Sequence, residues 1–405
     1  RRPHQGYVMI NNRSSVPGDL SKMEVYINGR DVSAAVTDVH IYMDVIGGVW
    51  TAKLFFEDST NLMATLPIKS GAPVKIKVAT KLESVGDDEK EFQFAVYNVT
   101  DKVGENHMQY TYTVHCAAKA FLIDQKKRVN KYFEGSVTEA IQSLTEEFLE
   151  STLRDSRTAE GSVRFIASNW TPLNTVAWAA KSAVYSGRAD FMFFQSDNDT
   201  FDFMPIDAMY NDRDTGLTFI QRPTGVKENG DGIDDPAIVF HSMQNDHFNA
   251  LRHGLAGYFA SKNLAFDMIE KTWSEEIYTS GDAEGGDNEF SEMAEANVTF
   301  TPSHDGAYTG AQNVYDTAKD WTGSRRSELM RLDREKIFIQ TPAAVAGWQW
   351  LGHAASIDLP SMEDMTKEQY DVARAGKYLI TAVAFLYGKG EAVNNYELVK
   401  LKLEA

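Results

Sequence analysis

The chain has 405 residues, with 58 acidic and 40 basic side chains, and its formal net charge is −18 at pH 7. At roughly 100–200 residues per domain, this length allows two to four domains with sizeable cores. The negative charge excludes a conventional nucleic-acid binder, because such proteins present a basic face to phosphates. The single cysteine, Cys116, excludes an internal disulfide and any multi-cysteine metal site. No apolar run approaches the ~20 residues of a membrane-spanning helix, and the N-terminus lacks the apolar core of a secretory leader.

The first 120 residues predict a β domain. Apolar and polar residues alternate along 39–45 and 50–56, as is typical of half-buried strands. Asn28-Gly29 predicts a tight hairpin after the apolar residues 25–27. Further strands are expected at 74–79, 92–99 and 108–116. Strands and turns in this number indicate a barrel or a sandwich.

Residues 121–235 predict a small α+β unit. Val137, Ile141 and Leu144 have helical spacing, and Ser136 with Glu139 predicts a capping box at the start of that helix. Thr171-Pro172 predicts the start of a second helix that reaches Val184 and ends by Gly187. Two short strands follow at 190–195 and 200–204, joined by the polar turn 196–199.

The remaining residues predict a second β region interrupted by an insertion. Strands are expected at 257–267, 336–340, 356–359, 378–387 and 396–403. The stretch 272–335 differs in composition, because residues 271–300 hold eight acidic residues against Lys271 alone. Residues 312–332 within it predict a helix.

The histidines and the cysteine do not form a recognisable catalytic or metal-binding pattern. His241, His247 and His253 are spaced by six, which places them on no common face of a helix or a strand. His115 and Cys116 are adjacent on a predicted strand, so their side chains are expected to point to opposite faces. We therefore predict no catalytic, cofactor-binding or metal-binding residues, and no cofactor.

The acidic loops invite an interpretation as calcium sites, but we favour solvated loops. The turn Asp197-Asn198-Asp199 lacks the glycine and glutamate positions of a calcium-binding loop, and the acidic stretches 227–236 and 282–295 have no fixed ligand order. A pair of carboxylates for glycoside hydrolysis stays open as an alternative, since its separation is spatial rather than sequential.

Arg325, Arg326, Arg331 and Arg334 form the basic cluster of most interest. The last two share a face of the predicted helix, so an acidic partner surface is conceivable. With Glu328 and Asp333 nearby, a solvated helix face is the favoured interpretation.

Several stretches resemble the tail-hub proteins of contractile-tailed bacteriophages, which form the central baseplate ring above the spike. The helix at 136–148, Ser168-Asn169-Trp170-Thr171-Pro172 and the paired aromatic strands at 191–194 and 201–203 are similar to the middle domain of that family. Trp348 to Leu351, Ile357-Asp358-Leu359-Pro360-Ser361 and Gly376-Lys377-Tyr378-Leu379-Ile380-Thr381-Ala382-Val383 resemble the C-terminal part. The resemblance covers mainly residues 130–210 and 335–403.

The resemblance implies a β-rich α+β fold, with two tail-tube-like β-barrel domains and α+β and helical insertions. Its expected divisions are an N-terminal extension (1–20), a first barrel (21–120), a middle α+β domain (121–235), a second barrel (236–271 and 336–405) and an acidic, helical insertion (272–335).

The resemblance also implies a non-enzymatic homotrimer that adapts a sixfold tail tube to a threefold spike. Its partners would be the tube protein, the spike protein, and other baseplate and tape-measure proteins. DNA would meet it only in transit, and no membrane anchor is expected. The protein would assemble in the host cytoplasm and reside in the virion tail baseplate. Two alternatives stay open: a carboxylate-dependent cell-wall hydrolase, and the hub module of a bacterial type VI-like secretion spike. In the second case we expect the chain to continue into a spike domain, so an ending after a strand favours a separate spike protein.

Overall fold

The computed structural model describes most of the two β regions, the α+β unit between them and part of the insertion. The described residues are 20–59, 62–66, 68–80, 89–103, 110–160, 162–221, 237–240, 242–246, 250–267, 270–279, 297–303, 318–333, 335–342, 349–359, 374–388 and 391–401. The acidic stretches 227–236 and 282–295, His241, His247, Arg334 and residues 1–19 lie outside them.

The strands are β1 (Leu20–Ile27), β2 (Arg30–Asp31), β3 (Val36–Asp44), β4 (Thr51–Asp58), β5 (Pro73–Thr80), β6 (Glu89–Val103), β7 (Tyr110–Ala117), β8 (Val129–Ser136), β9 (Thr152–Ser156), β10 (Ser162–Trp170), β11 (Phe191–Asp197), β12 (Thr200–Pro205), β13 (Asp214–Gln221), β14 (Ala237–Phe240), β15 (Ser242–Asp246), β16 (Ala260–Asp267), β17 (Thr272–Thr279), β18 (Val298–Ser303), β19 (Lys336–Pro342), β20 (Ala354–Asp358), β21 (Gly376–Gly388) and β22 (Glu391–Val399). The helices are α1 (Leu62–Thr65), α2 (Lys119–Lys126), α3 (Val137–Ser143), α4 (Pro172–Ala180), α5 (Ile206–Asp212), α6 (Ala250–Ala256) and α7 (Ala318–Met330). No helix among the described residues is long and apolar enough to cross a membrane.

One sheet of 14 strands contains both β regions. Its order is β14-β13-β20-β21-β3-β4-β7-β6-β5-β1-β2, and β22, β19 and β15 branch from β21. The strand pairs of this sheet are antiparallel except β13 with β14 and β13 with β20. The β-rich class is therefore confirmed. No sheet of the described strands closes on itself, so the two separate barrels stay a prediction.

The predicted strands of the first region are confirmed, because local alternation determines which side chains face the core. In β4, Ala52, Leu54 and Phe56 are buried while the residues between them are at least partly exposed. The hairpin at Asn28-Gly29 is also confirmed. Both residues have positive φ, 52° and 76°, as a tight two-residue hairpin turn requires.

The α+β unit has a core of its own, and its local predictions had mixed outcomes. Pro172 begins α4 and Thr171 caps it by accepting the backbone N–H of Asn174. The capping box is wrong: Ser136 precedes α3 but its side chain makes no capping hydrogen bond. Ser136 is also the last residue of β8, where it pairs with Ser162, so its backbone serves the strand. Helix α4 ends at Ala180 rather than at residue 184. After it, the backbone N–H groups of residues 181–183 bond to the carbonyls three residues earlier, as in a 3₁₀ turn, instead of four.

The second β region contains, after β14 and β15, a helix that the sequence did not predict. Helix α6 occupies residues 250–256, and Gly257 with φ 85° turns the chain into β16 at Ala260. Helix α7 lies within the predicted helix 312–332, of which residues 312–317 are outside the described ranges. Three strands, in the order β17-β16-β18, form a small sheet beside it.

Candidate functional site: junctions and exposed faces of the sheet

Strand β21 joins the two β regions. It pairs with β22 on one side and with β3 on the other, from Ala382 opposite Asp44 to Gly388 opposite Asp38. A β-bulge lies at Thr381, whose hydroxyl donates to Glu397 Oε1 at 3.0 Å. The Thr381 carbonyl accepts the backbone N–H of Val45 at 3.0 Å. The two regions therefore share one continuous sheet and one apolar core.

The outward side of β3, β4, β6 and β7 carries an aromatic face, which we define as His40, Tyr42, Phe55, Tyr97 and His115. The rings of His40 and Phe55 have centroids 4.9 Å apart, and those of Tyr97 and His115 are 6.0 Å apart. Burial lowers the pKa of His40. Such a face offers apolar and edge contacts to another protein surface.

Beside the aromatic face, the outward side of β1, β5 and β6 is a ladder of opposite charges. Lys22 and Lys77 both contact Glu89, at 2.9 and 3.0 Å, and Lys75 contacts Glu91 at 3.0 Å. The two lysines hold the pKa of Glu89 below its usual value by hydrogen bonds. Charges at the end of a sheet discourage unspecific strand pairing, so this ladder limits which chains can add to β1.

The hairpin β11–β12 docks on the first β region through Gln195, which is fully buried. The Gln195 side-chain oxygen accepts the backbone N–H of Trp50, and the indole of Trp50 donates to the Gln195 carbonyl, both at 2.9 Å. The Gln195 amide also donates to the carbonyls of Asp197 and Asn198, which shapes the turn. One buried amide thus fixes the α+β unit against the first β region.

The turn Asp197-Asn198-Asp199 is part of this contact rather than a solvated loop. Asp197 accepts Lys90 Nζ at 2.6 Å, and the Asn198 side chain exchanges hydrogen bonds with the backbone of Glu91 and Gln93 at 2.8 and 3.0 Å. The side chains of Asp197 and Asn198 are therefore bound by strand β6. No group of three or more His, Cys, Asp or Glu side chains in the described ranges is arranged to hold a metal ion.

A second ionic junction binds β9, β12 and the end of α5. Arg213 Nη2 donates to Asp155 at 2.5 Å and lies 2.9 Å from Asp202, and Arg154 also donates to Asp202 at 2.8 Å. Ser196 donates to the other oxygen of Asp202 at 2.7 Å. Burial opposes the negative charge of Asp155, but Arg213, together with the charges of Arg157 and Arg154, outweighs burial, so the pKa of Asp155 lies below its usual value. The carboxylates of Asp155 and Asp202 are therefore both paired with arginines.

Helix α7 docks on the α+β unit, so the favoured interpretation of a solvated basic helix face is wrong for two of its arginines. Arg325 donates to the carbonyls of Ala189 and Phe191, at 3.1 and 3.2 Å. Arg326, the next residue, is exposed. Because consecutive helical residues point about 100° apart, one arginine faces the contact and its neighbour faces water.

Arg331 directly follows α7 and is 4% exposed. It donates to Glu328 at 2.7 Å and to Asp207 at 3.0 Å. Arg188 lies 3.3 Å from Asp207 and 3.6 Å from Glu328. The acidic partner that the sequence suggested for this cluster is therefore within the same chain.

Asp190 lies in the middle of this junction and is 1% exposed. Its Oδ2 accepts the backbone N–H of Asp207 at 3.0 Å, whereas its Oδ1 has no hydrogen-bond partner among the described residues. Burial raises the pKa of Asp190 to about 7, and the charges of Asp207 and Glu328 act in the same direction. A buried acid of this kind is typical of active sites. Here, however, the acids around it are bound by arginines.

The structure separates the candidate nucleophile from its neighbouring base. Cys116 is fully buried in the core, and burial raises the pKa of its thiol. His115 faces outward and its Nε2 lies 3.1 Å from the Thr100 hydroxyl. The prediction that the two point to opposite faces is confirmed. His253, the described member of the histidine series, is buried and its Nε2 lies 3.1 Å from the Asp333 carbonyl.

Comparison with known proteins identifies the fold. No protein-family model and no curated protein matches the sequence. The crystal structure of the 43 kDa tail protein of prophage MuSo2 from Shewanella oneidensis is similar, with a TM-score of 0.58 at 11% identity, over 94% of this chain and 98% of that one. The tail protein from Neisseria meningitidis MC58 gives a TM-score of 0.55 at 8% identity, over 93% and 96%. The chain therefore has the fold of these phage-type tail proteins along nearly its whole length.

Proposed function

We propose that the chain is a structural subunit of a contractile-tail baseplate, and specifically its central hub. Three copies form a ring that adapts the sixfold tail tube to the threefold spike and surrounds the DNA exit channel. The observation that carries the proposal is the likeness to two tail proteins over at least 96% of their chains. The sequence resemblance to tail hubs at residues 130–210 and 335–403 narrows it from tail protein to hub.

The geometry of the large sheet supports an assembled state. Within the described residues the sheet is open, with β2 and β14 at the ends of its main path. Open sheet edges invite further pairing, and closure into a symmetric ring is the usual way to cover them. Obligate interfaces of this kind bury on the order of 2,000–5,000 Å².

Each proposed segment of the chain has its own role in the hub. Residues 21–120, and residues 236–271 with 336–405, are the two tube-like units, and residues 121–235 brace them from one side. The braces are the contact of Gln195 with Trp50 and the hydrogen bond that the Arg213 carbonyl accepts from the backbone N–H of Ala354.

The proposed partners are other copies of the chain, the tube protein, the spike protein, and further baseplate and tape-measure proteins. The subunit assembles in the host cytoplasm and resides in the tail of the virion. It acts without catalysis, and DNA passes through its lumen without being held there.

Light scattering of the purified chain tests the trimer. We expect a mass of about three times 45.3 kDa. A strictly monomeric species at high concentration contradicts the hub. Electron microscopy of particles labelled against this chain tests its position: label at the junction of tube and spike is expected, and label elsewhere on the particle contradicts it.

The hydrolase alternative is disfavoured by the state of the buried carboxylates. Asp190, Asp202 and Glu328 are candidates for paired acids, but arginines contact the second and third, and all three are buried between elements. Activity on purified peptidoglycan that one Asp or Glu substitution abolishes would restore this alternative. The hub module of a secretion spike stays a related alternative, and the same labelling separates it from a phage tail.

A further inference from the structure

Asp190 lies where helix α7 meets the α+β unit. It directly precedes β11, and Arg325 of α7 donates to the carbonyls of its two chain neighbours, Ala189 and Phe191. The Asp190 Oδ2 accepts the backbone N–H of Asp207, near the start of α5, at 3.0 Å. The carboxyl group is thus enclosed between α5 and α7, and departure of α7 would admit water to it.

Two arginines at this contact each face two other carboxylates. Arg331, directly after α7, lies 2.7 Å from Glu328 of the helix and 3.0 Å from Asp207. Arg188 lies 3.3 Å from Asp207 and 3.6 Å from Glu328. These four charges balance, two against two, and they connect α7 with α5 and with the chain before β11. We call them, together with Asp190, the α7 junction.

Asp190 adds a third carboxylate to the α7 junction without a cation of its own. Among the described residues no basic side chain forms an ion pair with it, and its Oδ1 has no hydrogen-bond partner. Because the residue is 1% exposed, water cannot compensate an ionised carboxylate there either. Burial, together with the negative charges of Asp207 and Glu328, raises the pKa of Asp190 to about 7, against the Asp207 N–H and the charge of Arg331. The α7 junction is therefore complete when Asp190 carries a proton.

Helix α7 is in turn packed on the small sheet β17-β16-β18. Ser327 donates to the carbonyl of Tyr258, just before β16, at 2.6 Å. The Tyr278 hydroxyl of β17 donates to Glu328 at 3.5 Å, so the sheet also contacts a member of the α7 junction. Because the helix and the sheet are in contact, the α7 junction connects both of them to the α+β unit.

We propose that protonation of Asp190 controls the docking of α7, which is held most firmly to the α+β unit while Asp190 is neutral. Loss of the proton places an unpaired negative charge beside Asp207 and Glu328. This charge favours a state in which α7 moves away and water reaches the carboxylate. The sheet β17-β16-β18 moves with the helix on which it packs. The proposal requires neither the trimer nor the DNA channel.

Hydrogen exchange of the full chain at pH 5 and pH 8 tests the proposal, with protection factors that correct for the intrinsic effect of pH on exchange. The opened state exposes Asp190, whose pKa then returns to its ordinary value of 3.8. Since only the docked state binds the proton between about pH 4 and 7, docking weakens as pH rises through that window. We expect α7 to open at least tenfold more often at pH 8 than at pH 5, and to be less protected than β4 at pH 8.

Asp190→Asn removes the titrating group, so its α7 should keep at pH 8 the protection that it has at pH 5. Asp199→Asn, in an exposed turn of the same α+β unit, is the matched control and should show the pH dependence of the unsubstituted chain. Histidines also change charge in this pH range, and His253 lies 3.1 Å from the Asp333 carbonyl just after α7. A pH dependence that Asp190→Asn abolishes and Asp199→Asn keeps is therefore assigned to Asp190.

Three outcomes overturn the proposal. The first is equal protection of α7 in the unsubstituted chain at the two pH values, which requires no variant to fold. The second is an Asp190→Asn chain with the same pH dependence as the unsubstituted chain, because another group then titrates. The third is equal protection of α7 and β4 at both pH values, because α7 would then open only when the whole chain unfolds. A monomeric mass would contradict the hub and leave these outcomes unchanged.

Discussion

Asp190 illustrates how a single residue links the charge of the chain to its stability. Its ordinary pKa is 3.8, and in the folded chain burial raises the pKa to about 7. The folded state therefore binds more protons than the unfolded state between about pH 4 and 7. Because the excess proton is lost as pH rises, the stability of the fold decreases across that window. Below it, Asp190 is neutral in both states and carries no penalty.

Asp190→Asn should remove this dependence, because the amide is neutral and of the same shape. We expect the free energy of unfolding to increase by a few kcal/mol at pH 8, an order of magnitude set by the pKa shift, and to be unchanged near pH 4. Urea unfolding at several pH values measures it. Asp199→Asn, in an exposed turn, should leave the pH profile as it was. If the free energy of unfolding of Asp190→Asn changed with pH in the same way as that of the unsubstituted chain, another group would be responsible for the pH dependence.

At the scale of elements, helix α7 is held to the α+β unit mainly by buried charge. Arg331 connects Glu328 with Asp207 on α5, and Arg325 binds two carbonyls next to β11. Removing one member of a buried ion pair is costly, because the remaining charge has no compensation.

Arg331→Met should therefore lower the free energy of unfolding by about 3–5 kcal/mol. Helix α7 should then open locally more often than the rest of the chain. Hydrogen exchange should show faster exchange across α7, while β3 and β4 keep their protection. Arg326→Met is the matched control on the same helix, because Arg326 is exposed. Unchanged exchange in α7 would show that apolar packing alone holds the helix.

The sequence predicted those elements whose pattern is local. Strand β4 alternates between core and water residue by residue, and Thr171-Pro172 contains its own cap and start. The docked position of Arg331 could not be predicted, because its partner Asp207 is 124 residues away. The opposite directions of His115 and Cys116 followed from strand geometry alone. The buried position of Asp190 had no sequence pattern, since it depends on elements brought together by the fold.

At the scale of the whole molecule, strand β21 connects the two β regions, because it pairs with β22 on one side and with β3 on the other. Ala384 pairs with Asn395 on one side and with Tyr42 on the other, so it lies in the interior of the sheet. The apolar core likewise runs from the first β region to the last strand.

Ala384→Pro should destabilise the whole chain by about 3 kcal/mol or more, because proline removes a ladder hydrogen bond in a central strand. Denaturant unfolding followed by tryptophan fluorescence and circular dichroism measures the midpoint. Thr272→Pro, at the first residue of β17 on the outside of its sheet, should have a much smaller effect. If Ala384→Pro and Thr272→Pro had equal unfolding midpoints, the two β regions would be stable without each other.

The net charge makes a prediction that rests on the proposed hub. Three copies of a −18 chain would carry −54 around the channel. If enough carboxylates line the lumen, they repel phosphates and keep DNA from adhering. Neutralising acidic residues that line the lumen of the assembled ring should slow genome ejection, measured as DNA release from purified particles. Unchanged release would refute the charge-repulsion account.

The pairing of β3 with β21 also sets an order of events during synthesis. The two strands are about 340 residues apart in the chain, so β3 emerges from the ribosome long before its neighbour exists. Contacts of such high sequence separation form slowly, and an uncovered strand edge is prone to aggregation. A product that stopped before residue 376 would lack the strand that covers β3 and would remain a target for chaperones and proteases. Because of this long-range pairing, only chains translated past β21 can complete the large sheet.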